Sequence, residues 1–179
     1  MNKTEPHKTG VGDSFFKQAQ PNWLRQSAAG AAPEGGSVIH AVTIAGATFK
    51  WPLRVYWEDT DAGGIVFYAN YLKFFERART EWLRSLGIEQ QHLRQTVGGM
   101  FVVAETAVRY LRPARLDDEL VVTARLVQSG RASMTIEQAA LLNQQTLCAG
   151  TIRIGWVNAA TLQPARIPDN IIESLKVPT

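Results

Sequence analysis

Between Tyr71 and Leu86 the apolar positions recur at spacings of three and four: Tyr71, Phe74, Phe75, Ala78, Trp82, Leu83 and Leu86 share one face, with Lys73, Arg77, Glu81 and Arg84 between them. That period predicts one long amphipathic helix, and Gly87 is its natural stop. The rest of the chain reads mostly as strands. Thr48 to Trp57 predicts a strand, with Pro52 near its start, where a missing donor is tolerated. Ile88 to Val97 predicts a short helical turn and a loop. Four runs rich in β-branched residues follow, at Phe101 to Tyr110, Glu119 to Gln128, Ala132 to Leu142 and Thr146 to Val157. Their connections, among them Arg112-Pro113-Ala114-Arg115, Ser129-Gly130 and Asn143-Gln144-Gln145, are short and polar, which predicts an antiparallel meander. Ile167 to Leu175 predicts a closing helical turn. The order of strand, long helix and four strands predicts an α+β domain with about five antiparallel strands around one helix. One helix cannot cover both faces of such a sheet, so its open face or edges are expected to be buried by a second subunit.

Composition divides the chain. Residues 1–47 read as a flexible extension and 48–179 as the folded domain, because Ser27 to Ser37 is built of small residues with Pro33 and Glu34. Phe15-Phe16 and Trp23-Leu24 are apolar islands ahead of that stretch, and a disordered tail accounts for them better than a docking segment. The formal charge of +3 is uneven: residues 1–50 carry five Lys or Arg against three acids, and the remainder 14 against 13. A nearly neutral folded part argues against a nucleic-acid surface. Of those 14 cations 12 are Arg, the side chain suited to bidentate phosphate and carboxylate contacts. The lone Cys148 excludes an internal disulfide and a cysteine metal site, fits a reducing compartment, and reads as a core filler in an alternating strand. No apolar run approaches the ~20 residues of a membrane span, and the N-terminus has charged residues where a secretory segment would be apolar. A cytoplasmic protein is expected.

The candidate chemistry lies just ahead of the long helix, in Asp59-Thr60-Asp61-Ala62-Gly63-Gly64. Free backbone N–H groups at Tyr68, Ala69 and Asn70 would present partial positive charge to an oxygen, with Asp61 across from them. That pairs an acid or nucleophile with an oxyanion site. Gly63 and Gly64 permit a sharp turn and close approach of a substrate to the backbone. Asp59 reads as a turn or capping aspartate, and Glu76, on the polar edge of the helix, as a partner for arginine. The histidines, His7, His40 and His92, lie away from this loop, which weakens a metal site or histidine catalysis. No Gly-x-Ser-x-Gly occurs. The Asp-x-Asp spacing lacks the ligands of a calcium loop, whose fifth and twelfth positions fall on Gly63 and Asn70.

Arg54-Val55, Asp59, Thr60-Asp61-Ala62-Gly63-Gly64-Ile65-Val66 and Tyr68-Ala69-Asn70-Tyr71 resemble the active-site motif of the 4-hydroxybenzoyl-CoA thioesterase family, which has the hotdog fold. Phe75-Glu76-Arg77-Ala78-Arg79-Thr80-Glu81 and Tyr110 to Asp118 bring the resemblance to the branch associated with the Tol-Pal envelope system. It covers residues 48 to 175. The resemblance implies a sheet wrapped around its helix, dimers joined edge to edge, often tetramers, and an active site at the dimer interface. It implies Asp61 as the catalytic aspartate and the Tyr68 N–H as the group that polarises a thioester carbonyl. Many Tol-Pal-linked members have histidine at the position of Tyr68, whereas the hydroxybenzoyl enzymes have tyrosine.

Thioester chemistry suits such a loop. A thiol with a pKa of about 8.5 leaves as thiolate without a protonating acid, so one carboxylate and one oxyanion site suffice. Asp61 would attack the carbonyl or deprotonate the attacking water, and the sequence leaves both routes open. The function expected is hydrolysis of an acyl-CoA to free acid and CoA, with no cofactor and no metal. Gly63, Gly64 and Ala69 are expected at the substrate, and Arg131 and Arg153 at the CoA phosphates. The alternative is a non-catalytic module that binds acyl-CoA or an acyl carrier protein in envelope assembly.

Overall fold

The computed structural model describes residues 42–43 and 48–176. The islands at Phe15-Phe16 and Trp23-Leu24 and the small-residue stretch lie outside the described residues. The long helix, α1, spans Asn70–Ser85 and buries Asn70, Tyr71, Phe74, Phe75, Ala78, Trp82 and Leu83. This is the apolar stripe read from the sequence, with Leu86 half-buried just beyond the helix. Sixteen residues at 1.5 Å per residue make α1 about 24 Å long, enough to cross a sheet.

The strands are β1 (Val42–Thr43), β2 (Phe49–Arg54), β3 (Gly99–Tyr110), β4 (Glu119–Ser129), β5 (Ser133–Leu142) and β6 (Gln145–Asn158). Two further helices are α2 (Gln90–Thr96) and α3 (Asp169–Lys176). Among the described residues all strand pairing is antiparallel, with five long strands and the two-residue β1. The first pairing, Val42 with Ser129 and Thr43 with Gln128, lies upstream of Thr48, where the sequence pattern starts its first strand. β2 ends at Arg54, and Trp57–Asp59 forms a 3-10 turn rather than more strand. Pro52 sits exposed on this edge strand, where its missing donor costs nothing.

The meander expectation holds for β4, β5 and β6 and fails for β3. β3 pairs with β6 at one edge, while β4 pairs with β1 and β2 at the other. The connection from Leu111 to Asp118 is the physical reason. It is held by other partners, Leu111 and Arg112 N–H donating to the Leu147 carbonyl at 2.8 and 3.0 Å and Ala114 N–H to Tyr71 Oη at 3.1 Å. The chain therefore passes over the start of α1 before it re-enters the sheet.

The inner face follows the alternation. Leu120, Val122, Ala124 and Leu126 of β4, Met134, Ile136 and Ala140 of β5, and Ile152, Ile154 and Trp156 of β6 are all buried. Register shifts between Val103 and Glu105, between Leu126 and Gln128 and between Ala140 and Leu141 bend the sheet. Such bulges increase local twist and let a sheet curl around α1. Among the described residues β3 has no strand on its outer side. Val103 and Tyr110 lie opposite buried Ile154 and Cys148, yet are 56% and 40% exposed. Cys148 is buried, as its reading as a core filler requires.

Candidate active site

The loop between β2 and α1 is fastened at both ends. Arg54 leaves β2 paired with Glu119, and Val55 N–H donates to the Asp118 carbonyl at 2.9 Å. In the 3-10 turn the buried Asp59 accepts the Tyr56 N–H on Oδ2 at 2.9 Å, so it is the turn-capping aspartate its position suggests. Its carbonyl accepts two donors, Phe67 N–H and Asn70 Nδ2–H, both at 2.9 Å. Asn70, buried at the first position of α1, thus ties the turn to the helix. The sequence reading missed this role. The signal available was a polar residue at the start of an otherwise aromatic helix face.

Between these ties the chain turns back on itself. Asp61 N–H donates to the Ile65 carbonyl and Gly64 N–H to the Asp61 carbonyl, each at 2.9 Å. Gly63 N–H donates to Asp61 Oδ1 at 2.8 Å. This orients the carboxyl, and among the described residues Oδ2 has no hydrogen-bond partner. Gly64 has a φ of +69°, the left-handed conformation that favours glycine. A side chain at Gly63 would place its Cβ 3.1 Å from Asp61 Oδ1. Both glycines therefore shape the carboxyl's surroundings.

α1 begins without a side-chain cap, its N-cap being Ala69. An uncapped first turn leaves donors open. Asn70 N–H bonds to the Phe67 carbonyl and Leu72 N–H to that of Ala69, while Tyr68 and Ala69 N–H have no acceptor among the described residues. Asp61, Gly63, Gly64 and Tyr68 are exposed and Ala69 half-buried on this one loop. The helix dipole adds partial positive charge at its helical end.

The floor under the loop is aromatic. The Tyr68 ring lies 4.6 Å from Phe67 and 6.0 Å, edge-on, from Tyr110 at the end of β3. Tyr71 stands 5.8 Å from Tyr110 and accepts the Ala114 N–H. Burial pushes the Tyr71 phenol up to about 12, against the smaller lowering by the Ala114 hydrogen bond. Tyr110 is raised too, first by burial and then by Cys148 and Tyr68.

Arg131 and Arg153 are not brought to this loop within one protomer. Arg153 lies opposite Glu105 and Thr135, five β6 positions from Cys148, the residue opposite Tyr110. Arg131, in the turn after β4, uses its carbonyl to accept the Ile167 N–H at 2.9 Å. Arg115 joins this loop through its backbone, which bridges to Ile65. Glu76 forms no ion pair among the described residues, and its carboxylate accepts the Thr80 hydroxyl at 2.7 Å. His92 is exposed on α2. Among the described residues no three His, Cys, Asp or Glu side chains converge as metal ligands, and no helix is long and apolar enough to cross a membrane.

A curled antiparallel sheet around one long helix, with a carboxyl loop against that helix's uncapped start, defines a hotdog-fold protein. The chain belongs to the Thioesterase-like superfamily, whose model matches residues 55–175. It is 41% identical over 123 residues to the acyl-CoA thioesterase YbgC of Haemophilus influenzae, covering 69% of this chain and 90% of that one. It is 38% identical over 129 residues to the acyl-CoA thioester hydrolase YbgC of Shigella flexneri, covering 72% and 96%. The crystal structure of a probable thioesterase from Bartonella henselae superposes with a TM-score of 0.66 at 34% identity, covering 68% of this chain and all of that one.

Proposed function

We propose that the protein hydrolyses acyl-CoA thioesters, with Asp61 supplying the carboxylate and the Tyr68 N–H binding the oxyanion. The observation that carries this reading is the loop itself. Gly63 N–H donates to one Asp61 oxygen at 2.8 Å, and among the described residues the other oxygen and the Tyr68 and Ala69 N–H groups of the same loop have no partner. An oxyanion that forms when the thioester carbonyl is attacked meets preorganised donors there, at no reorganisation cost. CoA thiolate then leaves without an acid, since its pKa is near 8.5. Asp61 serves as nucleophile, through a mixed anhydride, or as general base toward water. The relatives named acyl-CoA thioesterase support the substrate class.

The working unit in this reading is a homo-oligomer joined along β3, because that edge leaves inward-facing Val103 and Tyr110 open. Arg115, whose backbone bridges to Ile65 of the loop, is a candidate for a CoA phosphate, with Arg131 and Arg153 serving a site on another protomer. Free-thiol release from short, long and aromatic acyl-CoAs tests the function. Turnover of one class is expected. A correctly folded protein inert on every member of the panel would favour an acyl-CoA or acyl-carrier-protein binding module.

A further inference from the structure

A cavity of about 180 Å³ lies between the second half of α1, the start of β3 and the inner faces of β5 and β6. Trp82, Phe101, Met134, Ile136 and Ile154 make most of it apolar. One wall is polar. Gln90 Nε2–H donates to Thr80 Oγ at 3.0 Å, and the Thr80 hydroxyl donates to Glu76 Oε1 at 2.7 Å. Beside them Arg79 Nη1–H donates to Gln138 Oε1 at 2.6 Å. Gln138 is 3% exposed and fixed in turn, its Nε2 donating to the carbonyls of Phe75 at 2.9 Å and Thr123 at 3.3 Å. The guanidinium is therefore pinned through one nitrogen. It forms no ion pair among the described residues, and it has donors to spare toward the cavity.

We propose that this cavity receives the far end of the acyl group, and that Arg79, pinned by Gln138, is its specificity-determining residue, selecting an acyl chain of about six carbons that ends in a neutral hydrogen-bond-accepting oxygen. The inference rests on the thioester hydrolase reading of the Asp61 loop. Size follows from volume: a cavity of ~150 Å³ takes a benzene-sized guest, so this one takes a group of similar carbon count. Polarity follows from the wall. An alkyl end would strip water from the guanidinium and return no acceptor, whereas a carbonyl or hydroxyl oxygen satisfies it. A carboxylate end would meet Glu76 on the same wall, which favours a neutral group.

Position indicates whose thioester is read. Arg79 lies eleven residues beyond Tyr68, roughly 16 Å between the two backbones at helical rise, a gap that a six-carbon acyl group held at Tyr68 of the same protomer closes only if the arginine side chain reaches far back along the helix. Tyr110, which packs on Tyr68, is at the opposite end of β3 from Val102 and Val103 at the cavity rim. In an assembly along β3, which this proposal requires, an antiparallel partner strand would reverse that order and set the rim beside the carboxyl loop of a second copy.

The test compares kcat/KM for 5-oxohexanoyl-CoA and hexanoyl-CoA, which differ only at the far end. Wild type is expected to favour the oxo ester by about 10-fold or more. Arg79→Met should bring the ratio to about 1. Arg79→Gln keeps an uncharged polar amide on this wall but falls short of the guanidinium position, so it should give the same collapse, and it covers the case in which Arg79→Met does not fold. A wild-type ratio near 1, or a ratio that survives these changes, overturns the assignment of Arg79 and leaves the Asp61 chemistry standing. Wild type inert on both esters yet active on another member of the acyl-CoA panel overturns this subsite alone, and wild type inert on the whole panel overturns the hydrolase reading with it.

Discussion

Two residues beside the carboxyl carry separable consequences. Gly63 donates to Asp61 Oδ1, and a Cβ there would stand 3.1 Å from that oxygen, tighter than most contacts of its kind. Gly63→Ala is therefore expected to turn the carboxyl away from its bond and lower kcat by roughly 10-fold, with a melting temperature close to wild type. Steady-state kinetics beside a thermal melt separate the two effects, and unchanged kcat would mean that Asp61 needs no such anchoring. Tyr71 acts on stability instead. Tyr71→Phe removes the acceptor for the Ala114 N–H, both residues being buried, and should cost about 1–3 kcal/mol in denaturant unfolding. Burial raises Tyr71 from 10.0 and Cys148 from 9.0, each to about 12. Both groups hold their protons more tightly when folded. Their contribution is complete below pH 9 to 10 and falls away as pH rises toward 12, so the protein should lose stability over that alkaline range. Tyr71→Phe should flatten that loss, which unfolding midpoints between pH 8 and 11.5 would register.

At the scale of elements, the loop is as rigid as its two ties. Asn70→Ala leaves the Asp59 carbonyl with Phe67 N–H alone and frees the start of α1 from the 3-10 turn. The expected result is a fall in kcat of about 10-fold with KM little changed, since the open N–H groups shift relative to Asp61 while the pocket floor stays in place. A change confined to KM would contradict that. Elements of this kind differ in how far the sequence discloses them. α1 was legible because its apolar period has no competitor, and β4, β5 and β6 because their turns are short. The turn of the candidate loop was legible at Gly63 and Gly64, where the structure has a close approach to Asp61 and a positive φ. β3 was misplaced because the eight residues from Leu111 to Asp118 look like a turn in one dimension, while their partners, Leu147 and Tyr71, are distant in sequence. The same limit hid the Asp59–Asn70 tie and the Arg79–Gln138 pair, which join positions 11 and 59 residues apart.

For the whole molecule, the proposed assembly along β3 would make catalysis and oligomerisation one property. Val103→Glu puts a carboxylate on an inward-facing edge position that is 56% exposed in a single protomer. A lower mass by light scattering together with loss of thioesterase activity is expected, and a fully active monomer would contradict assembly along that edge. The central claim, that one oriented carboxyl against an uncapped helix start breaks a thioester, is tested most directly by comparing wild type with Asp61→Asn in thiol release from the preferred acyl-CoA. Asparagine keeps the shape of the side chain and removes its charge. The account predicts a loss of about 10² or more in kcat with the fold intact by thermal melt. An Asp61→Asn protein that turns over its substrate at the wild-type rate would contradict it.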